Sequence, residues 1–476
     1  MNAGMYNLLS LGLIVGIVWG IRLMSSPRTA VRGNLLGAGC VLGGILLTLA
    51  THDLFRDGLV WGALAAGAAG GGWLGLRVTM IRMPQLVALL NGLGGAASAA
   101  AALVVLAAKP ETLNLATRFT GALAVTVGSL TLSGSLVAAG KLDRRIRQTP
   151  IHLHRHSAIS VALLSLCVLL ILWLALTETR SAIPAAAAAC GVALAFGIVF
   201  AIRIGGADMP ISISLLNSLS GVGGALAGFA VRDPLLVAAG AVVGASGLIL
   251  TELMCRAANR TLAEVITGRT TIQAGTVDVP QEPAAPPGTA PGARLARKAE
   301  PYEAACNVLR KARTVLIVPG YGMAAAGAQH EVKRLADALE RRGTDVRFAV
   351  HPLAGRMPGH MHVLLAEVDV PYDKLHDLNQ INDEFRHTDA VVVVGANDVV
   401  NPAANTAPNT PIYGMPILRV AEAESVIICN QDTAPGYSGV PNPLYQMDHV
   451  ILCLGDAVQT VSELAARFID VADRQA

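Results

Sequence analysis

Charge and aromatic rings are scarce in this chain: 14% of its residues are Asp, Glu, Lys or Arg and 4% are Phe, Trp or Tyr. A soluble surface needs more charge than that. The 53% of hydrophobic residues, mostly small and aliphatic, suit packed membrane helices. A net charge of +3 is too small to suggest a nucleic-acid binder. Seven cysteines, Cys40, Cys167, Cys190, Cys255, Cys306, Cys429 and Cys453, form no C-x-x-C pair and no His/Cys ligand spacing. Neither a disulfide framework nor a metal site is expected, and the cysteines read as small hydrophobes.

Long hydrophobic runs, in contrast, are plentiful. Nine segments of about 17 to 25 residues are long enough to cross a hydrocarbon core. They lie near Tyr6 to Leu23, Val31 to Ala50, Gly58 to Leu76, Gln85 to Ala108, Phe119 to Ala139, Ser157 to Leu176, Ala182 to Ile202, Ile211 to Ala230 and Leu235 to Leu253. With an outside N-terminus the inward loops carry Arg22, Arg28, Arg32, Arg77, Arg82, Lys141, Arg144, Arg145, Arg147, Arg155, Arg203, Arg256 and Arg260, against Arg56, Lys109, Arg118, Arg180 and Arg232 outside. This bias predicts an orientation that leaves the C-terminal part in the cytoplasm or its organellar equivalent, and the expected location is a multi-pass inner (plasma) membrane protein with a cytoplasmic C-terminal domain. The first segment is expected to be retained, because Met1 to Met5 lack a basic start and no small-x-small cleavage site precedes Arg22. Glycine runs at Gly67 to Gly75 and Gly221 to Gly228 predict close helix packing. His52, His152, His154 and His156 fall near span ends, where solvated loop positions are expected.

Hydropathy drops after Cys255, and residues 277 to 300, VDVPQEPAAPPGTAPGARLARKAE, have little to bury. The expected organisation is a membrane domain over 1–255, a linker over 256–300, extended where Pro-rich, and a soluble head over 301–476. In the head, short aliphatic runs predict strands at Thr314 to Val318, Asp345 to Val350, Ala390 to Val394, Ile417 to Val420, Ser425 to Cys429 and His449 to Leu454. Between the first two, Val332, Leu335, Ala336 and Leu339 follow helical spacing, and Gly343 supplies the stop. A last helix starts after Asp456, with Val458, Val461, Leu464, Ala465 and Phe468 on one face. Strand, glycine turn, helix, strand predicts a doubly wound, Rossmann-like α/β fold.

Ligands of such sheets sit at the carboxyl ends of the strands. There the chain places Gly320-Tyr321-Gly322-Met323-Ala324-Ala325, of G-x-G-x-x-G/A form. The glycines suit either a pyrophosphate at a helix N-terminus or a tight strand-to-helix turn without a ligand. Three more loops add weight to a dinucleotide: His351 to His360, whose Arg356 can pair with phosphate, Gly395-Ala396-Asn397-Asp398, and Ala434 to Gly439.

VPGYGMA, HPLAGRMPGHMHVLLAEVDVPYD, INDEF, GANDVVNPAAN, GMPILRV and GYSGVPNPLY in the head, with GGADMPISISLLNSLSG and GASGLILTELMCRAANR in the membrane part, closely resemble the β subunit of the proton-translocating NAD(P) transhydrogenase. The resemblance covers essentially the whole chain. It implies hydride transfer from NADH on a separate alpha subunit to NADP+ on this head, coupled to inward proton translocation, in a dimer of alpha-beta units. Carried over by motif, the nucleotide contacts would be Gly320, Tyr321, Gly322, Met323 and Ala324; Leu353, Ala354, Gly355, Arg356, Met357 and Pro358; Gly395, Ala396, Asn397, Asp398 and Val399; Gly414 and Met415; Asn430, Gln431, Asp432, Gly436 and Tyr437; and Gly455 with Asp456. In the family the nucleotide lies reversed relative to an ordinary Rossmann cofactor, so the glycine turn need not hold the pyrophosphate. Asp398 either caps its turn or acts in catalysis by contacting the cofactor or sensing its redox state.

Two departures from the family pattern matter. Where relatives carry Lys-Arg-Ser on the 2′-phosphate, this chain has Asn430-Gln431-Asp432. Either Arg356 or Arg419 substitutes, with NADP(H) the leading reading, or the head has shifted towards NAD(H), whose ribose hydroxyl a carboxylate accepts. Where relatives carry a proton-relaying histidine, MPQLVALLNGLGG places Asn91. A proton path would then draw on Asn91, Asp208, Asn217, Ser246 and Thr251, with Ser133 and Ser135 as further polar groups at depth. A nucleotide-gated membrane transporter without hydride transfer is the alternative of a different class.

Overall fold

The computed structural model describes residues 3–108, 113–147, 150–151, 153–176, 182–205, 208–267, 301–357, 359–408 and 410–473. Lys109, His152, Arg180, Pro358 and the linker residues 268 to 300 lie outside them. The chain divides into two compact units, Met1–Glu252 and Leu253–Ala476.

Among the described residues nine helices are long and apolar enough to cross a membrane: α1 (Ala3–Met24), α2 (Pro27–Thr51), α3 (Gly58–Arg77), α4 (Met83–Ala108), α5 (Leu115–Leu142), α6 (His156–Leu176), α7 (Ala182–Ile202), α8 (Met209–Val231) and α9 (Pro234–Ala257). Each coincides with an apolar run in the sequence. Their ends follow local chemistry: Asp57 and Asn114 cap α3 and α5 by accepting the Leu59 and Thr117 N–H groups, and Pro27 and Pro210 occupy first turns.

α5 is the centre of this unit, with most of its length buried against its neighbours. Glycine makes that packing possible. A Cβ on Gly95 of α4 would stand 2.7 Å from the Gly128 carbonyl of α5, and one on Gly221 of α8 would stand 2.4 Å from the Gly244 nitrogen of α9. Small residues at these crossings let backbones touch, the main source of helix affinity where lipid removes the hydrophobic drive. The glycines of α3 behave differently: a Cβ on Gly67, Gly70, Gly71, Gly72 or Gly75 would meet nothing within 4 Å. The close packing expected for Gly221 to Gly228 is therefore present, whereas a Cβ at the glycines of Gly67 to Gly75 meets no described residue of this chain.

The head is a six-stranded parallel sheet of β1 (Thr314–Pro319), β2 (Asp345–Val350), β3 (Leu375–Asp377), β4 (Ala390–Val394), β5 (Ser425–Asn430) and β6 (Val450–Leu454), in the order β3-β2-β1-β4-β5-β6. Helices cover both faces of a doubly wound sheet, which is why central strands read as unbroken aliphatic runs; every residue of β4 is buried. Val391, Val393, Val426 and Ile428 join Leu316, Phe385 and Leu444 in one core cluster. The strand order reverses between β1 and β4, and the loops leaving the two strands frame the crevice in which such sheets bind ligands.

One predicted strand is absent and another was not foreseen. Ile417 to Val420 is not a strand: the Leu418 N–H turns to the Val399 carbonyl, and the chain enters a 3-10 turn at Val420–Glu422. The edge position belongs to β3, whose three residues pair with Phe348 to Val350.

Candidate functional site

At the β1–β4 crevice, two glycine turns lock against each other. The Gly320 and Gly322 N–H groups donate to the Val394 and Gly395 carbonyls, both at 2.8 Å. A Cβ on Gly320 would lie 2.2 Å from the Gly395 oxygen, and one on Gly395, at φ +67°, would lie 2.2 Å from the Met323 nitrogen. The glycines of G-x-G-x-x-A thus serve a backbone contact between loops, and the Gly322 N–H faces protein. The short helix that follows, Tyr321–Ala326, buries Met323 and Ala324.

The β2 loop delivers the cation. His351 is fully buried, accepts the Leu353 N–H at Nδ1 and pairs its Nε2 with the Pro416 carbonyl at 2.8 Å, which fixes the start of the loop. Burial pushes its pKa down to about 4, against the opposing pull of that carbonyl. Ala354 is buried, its N–H on the His351 carbonyl, and Gly355 turns at φ +107° against the His360 ring. The Arg356 N–H is received by His360 Nδ1. Arg356 is only 6% exposed, and its guanidinium lies 4.3 Å from the centre of the Tyr321 ring and donates to the Tyr437 hydroxyl at 3.1 Å. His360 is also pushed down to about 4, by burial first and by Arg356 second. Leu353 and Met357 are half-buried beside this turn.

The β4 and β5 loops meet at a carboxylate. Asp398 accepts the Ser438 hydroxyl at 2.6 Å and the Ser438 N–H at 3.0 Å. Gly436 allows this approach, since a Cβ there would stand 2.7 Å from an Asp398 oxygen. Burial raises the Asp398 pKa, and the bonds from Ser438 oppose the rise. Asn397 ties the same loops by donating to the Ala434 carbonyl and accepting from Asn442. Val399 receives the Leu418 N–H, while Ala396 is buried behind it. The Tyr437 ring is exposed and tilted against Tyr321 at 6.1 Å. Arg356, Tyr321, Tyr437 and Asp398 therefore come from four different strand ends into one crevice.

The remaining head residues separate. Asn430 is buried; its Nδ2 donates to the Ala396 carbonyl at 2.8 Å and the Tyr445 hydroxyl at 3.0 Å. Gln431 and Asp432 are exposed, and Asp432 accepts the Ala434 N–H in a local turn. The triplet is thus one inward and two outward residues. Of the two candidate substitute cations, Arg419 pairs with Asp383 and Arg356 lies in the crevice. Gly414, at φ +76°, and Met415 shape the turn after Ala404. Gly455 joins β6 to β5 through the Asn430 carbonyl, and Asp456 caps the last helix by accepting the Val458 N–H.

In the membrane unit the proposed path residues also divide. Asn91 is buried on α4 and donates to the Ile213 carbonyl of α8 at 3.5 Å. The Thr251 hydroxyl on α9 bonds the Ser214 hydroxyl on α8 at 3.0 Å, and Ser218 donates to the Gly244 carbonyl at 2.7 Å. Asp208 is buried at the start of α8, with Ser212 donating to its carbonyl, and Asn217 is half-buried. Ser135 is fully buried, while Ser133 bonds its own helix. Ser246 is exposed and bonds the Val243 carbonyl of its own helix, apart from this group. Hydropathy gave no sign of Ser214 or Ser218.

Three expected loop residues are interior instead. Lys141 is 1% exposed and donates to the Ile202 and Ile204 carbonyls at 2.5 and 2.7 Å, closing the end of α7. Arg118 is buried in the first turn of α5, and His156 is buried with its Nε2 on the Val199 carbonyl. Lys141 and His156 are placed by the end of α7, which a count of loop charges does not register.

Comparison with known proteins places the chain among described families. The family model described as NAD(P) transhydrogenase beta subunit matches residues 6–467. Two curated relatives from Rhodospirillum rubrum, each described as NAD(P) transhydrogenase subunit beta, are 41% identical over 464 residues, spanning 95% of this chain and 97% of the relative.

Proposed function

Because the chain belongs to the family of NAD(P) transhydrogenase beta subunits, we propose that its head binds NADP(H) and exchanges hydride with NAD(H) on a separate alpha subunit while the membrane unit carries a proton inward. Membership makes it a multi-pass membrane subunit of an oxidoreductase that uses nicotinamide nucleotides and works with a partner subunit. The proposal adds which nucleotide, which residues, an alpha partner arranged as a dimer of alpha-beta units, and an inner membrane with the head in the cytoplasm.

The observation that carries the reading is the convergence of Arg356, Tyr321, Tyr437 and Asp398 at the carboxyl edge of the sheet. A dinucleotide needs a cation for phosphate, flat apolar surface for its rings and polar groups for its riboses, and the crevice supplies all three. Arg356 is the phosphate ligand in this reading. The phenol rings flank the nucleotide and exclude water, and Asp398 meets a ribose or carboxamide donor. A bound nicotinamide supplies the hydride chemistry itself; the chain orients it, shields it and holds the Asp398 proton to higher pH than usual.

Coupling has a thermodynamic use. The two nicotinamides are chemically the same, so hydride exchange is nearly isoenergetic, whereas a charge crossing 100 mV releases roughly 2.3 kcal/mol. That shifts a product ratio about fifty-fold, at ~1.4 kcal/mol per decade. One observation favours a second reading, NAD(H) in the head: Gln431 and Asp432 present a carboxylate and no cation on their exposed loop. The test of coupled function is reconstitution with an alpha subunit in sealed vesicles. A proton gradient directed towards the head should raise the NADPH:NADP+ ratio, and a ratio indifferent to the gradient would contradict coupling.

A further inference from the structure

The head contains a pair of thiols that no short motif reveals. Cys429 and Cys453 are separated in sequence but are register partners on adjacent parallel strands β5 and β6, and both are completely buried. Partners on neighbouring strands stand about 4.8 Å apart, within the Cα separation that a disulfide spans. Each thiol acts on the other, and Thr460 of the last helix, whose hydroxyl bonds the Ala457 carbonyl, acts on Cys429. Cys306 lies on the helix Pro301–Lys311, its thiol on the Leu464 carbonyl of that last helix. From the strand register and the shared burial, we infer that Cys429 and Cys453 form a reversible dithiol–disulfide site that responds to a two-electron oxidant of the peroxide class.

The chemistry balances. The neighbouring Cys429 thiol holds the Cys453 thiol below its ordinary range, making Cys453 the attacking sulfur. Its sulfur forms a bond to one peroxide oxygen, the O–O bond breaks, and water leaves after taking a proton. Cys429 sulfur then displaces the hydroxyl from the resulting sulfenic acid, the S–O bond breaks, and a second water leaves. Two thiols lose two electrons and one peroxide gains them. Access comes from topology: β6 is an edge strand, so its local opening exposes the pair while β1 and β4 stay intact.

The site sits directly under the proposed nucleotide loops, and this consequence rests on the NADP(H) reading. Asn430 follows Cys429, and its carbonyl accepts the Gly455 N–H two residues beyond Cys453. A disulfide draws the two Cβ atoms to about 3.8 Å. That contraction shifts Asn430, whose side chain holds the Ala396 carbonyl behind Asp398.

The full-length chain in detergent, treated with hydrogen peroxide, should yield a cross-linked Cys429–Cys453 peptide under non-reducing mass spectrometry. NADPH affinity should fall about ten-fold, with recovery after dithiothreitol, and Cys453→Ala should show neither response. Oxidation of exposed methionines without that peptide, or linkage through Cys306 instead, would overturn the site. A cross-link that leaves NADPH affinity unchanged would overturn its control of the loops. A cross-link in a protein that binds no NADPH, reduced or oxidised, upholds the dithiol site and refutes the nucleotide reading alone.

Discussion

The membrane unit and the head use the same small residues for opposite ends. In the membrane unit glycine removes side chains so that straight helices can touch, as Gly95 does against Gly128, and most serines and threonines bond a carbonyl of their own helix, as Thr126 and Thr131 do. In the head, glycine bends backbone, as at Gly355 and Gly395, and polar side chains bond across loops distant in sequence, as Asp398 does with Ser438. Polarity that closes on its own helix holds architecture. Polarity that leaves its own element marks a place where function is built, and among the described residues of the membrane unit Tyr6, Gln85, Asn91, Ser129, Lys141, His156, Ser214, Ser218 and Thr251 do this.

This contrast can be broken most sharply at Arg356. Arg356→Ala should weaken NADPH binding about 100-fold, or ~2.7 kcal/mol, if the guanidinium pairs with phosphate. Calorimetric titration reads this directly, and unchanged affinity would leave the crevice without its cation. A comparable effect on stability is expected from acid. His351 and His360 are neutral in the fold with pKa values of about 4. Unfolding lets them return to about 6.5 and take up protons, so their contribution is complete above that pH and is lost as pH falls to about 4, roughly 3 kcal/mol for each. Thermal melts across this window should show head stability dropping and then levelling, and His351→Gln should flatten the slope.

Lys141→Met carries the comparison into the membrane unit. Two buried carbonyls at the end of α7 would lose their donor, at about 1–3 kcal/mol each, lowering the melting temperature of the membrane unit while NADPH affinity stays unchanged. Asp398→Asn separates charge from shape. Because burial raises its pKa, the carboxyl's contribution to stability is present below the unfolded pKa and lost as pH rises through the folded one. The amide should remove that one contribution, seen as a difference in melting temperature between variant and parent that changes with pH across the carboxylate range. The smallest effects distinguish two hydroxyls on α9. Thr251→Val should destabilise by about 0.6 kcal/mol, whereas Ser246→Ala, exposed and bonded to its own helix, should change stability by less than ~0.5 kcal/mol.

The sequence was most legible where a single periodicity decides structure. The spans are unbroken apolar runs, and β1, β4 and β5 are apolar runs buried on both faces, while β2 and β6 show shorter apolar stretches. β3 was not legible because three residues at a sheet edge, Leu375, His376 and Asp377, carry no pattern. Ile417 to Val420 misled because it is aliphatic for another reason: Ile417 and Leu418 fill the space beside Ala404 and Val400, off the sheet. In the head, motif carried Tyr321, Arg356, Asp398 and Tyr437 to one crevice, but could not foresee that Asn430 turns inward or that Gly322 donates to protein. In the membrane unit the rotational phase of an all-apolar helix cannot be read, so Ser246 and Thr251 looked alike although one faces outward and the other inward.

Titration of the purified full-length chain with NADPH and with NADH tests most directly the claim that the head is an NADP(H) site. NADPH should bind at least ten-fold tighter than NADH, a preference lost with Arg356→Ala and little changed by Asp432→Ser. Tighter NADH binding, weakened by Asp432→Ser, would contradict it and make Asp432 the ribose ligand of an NAD(H)-selective head.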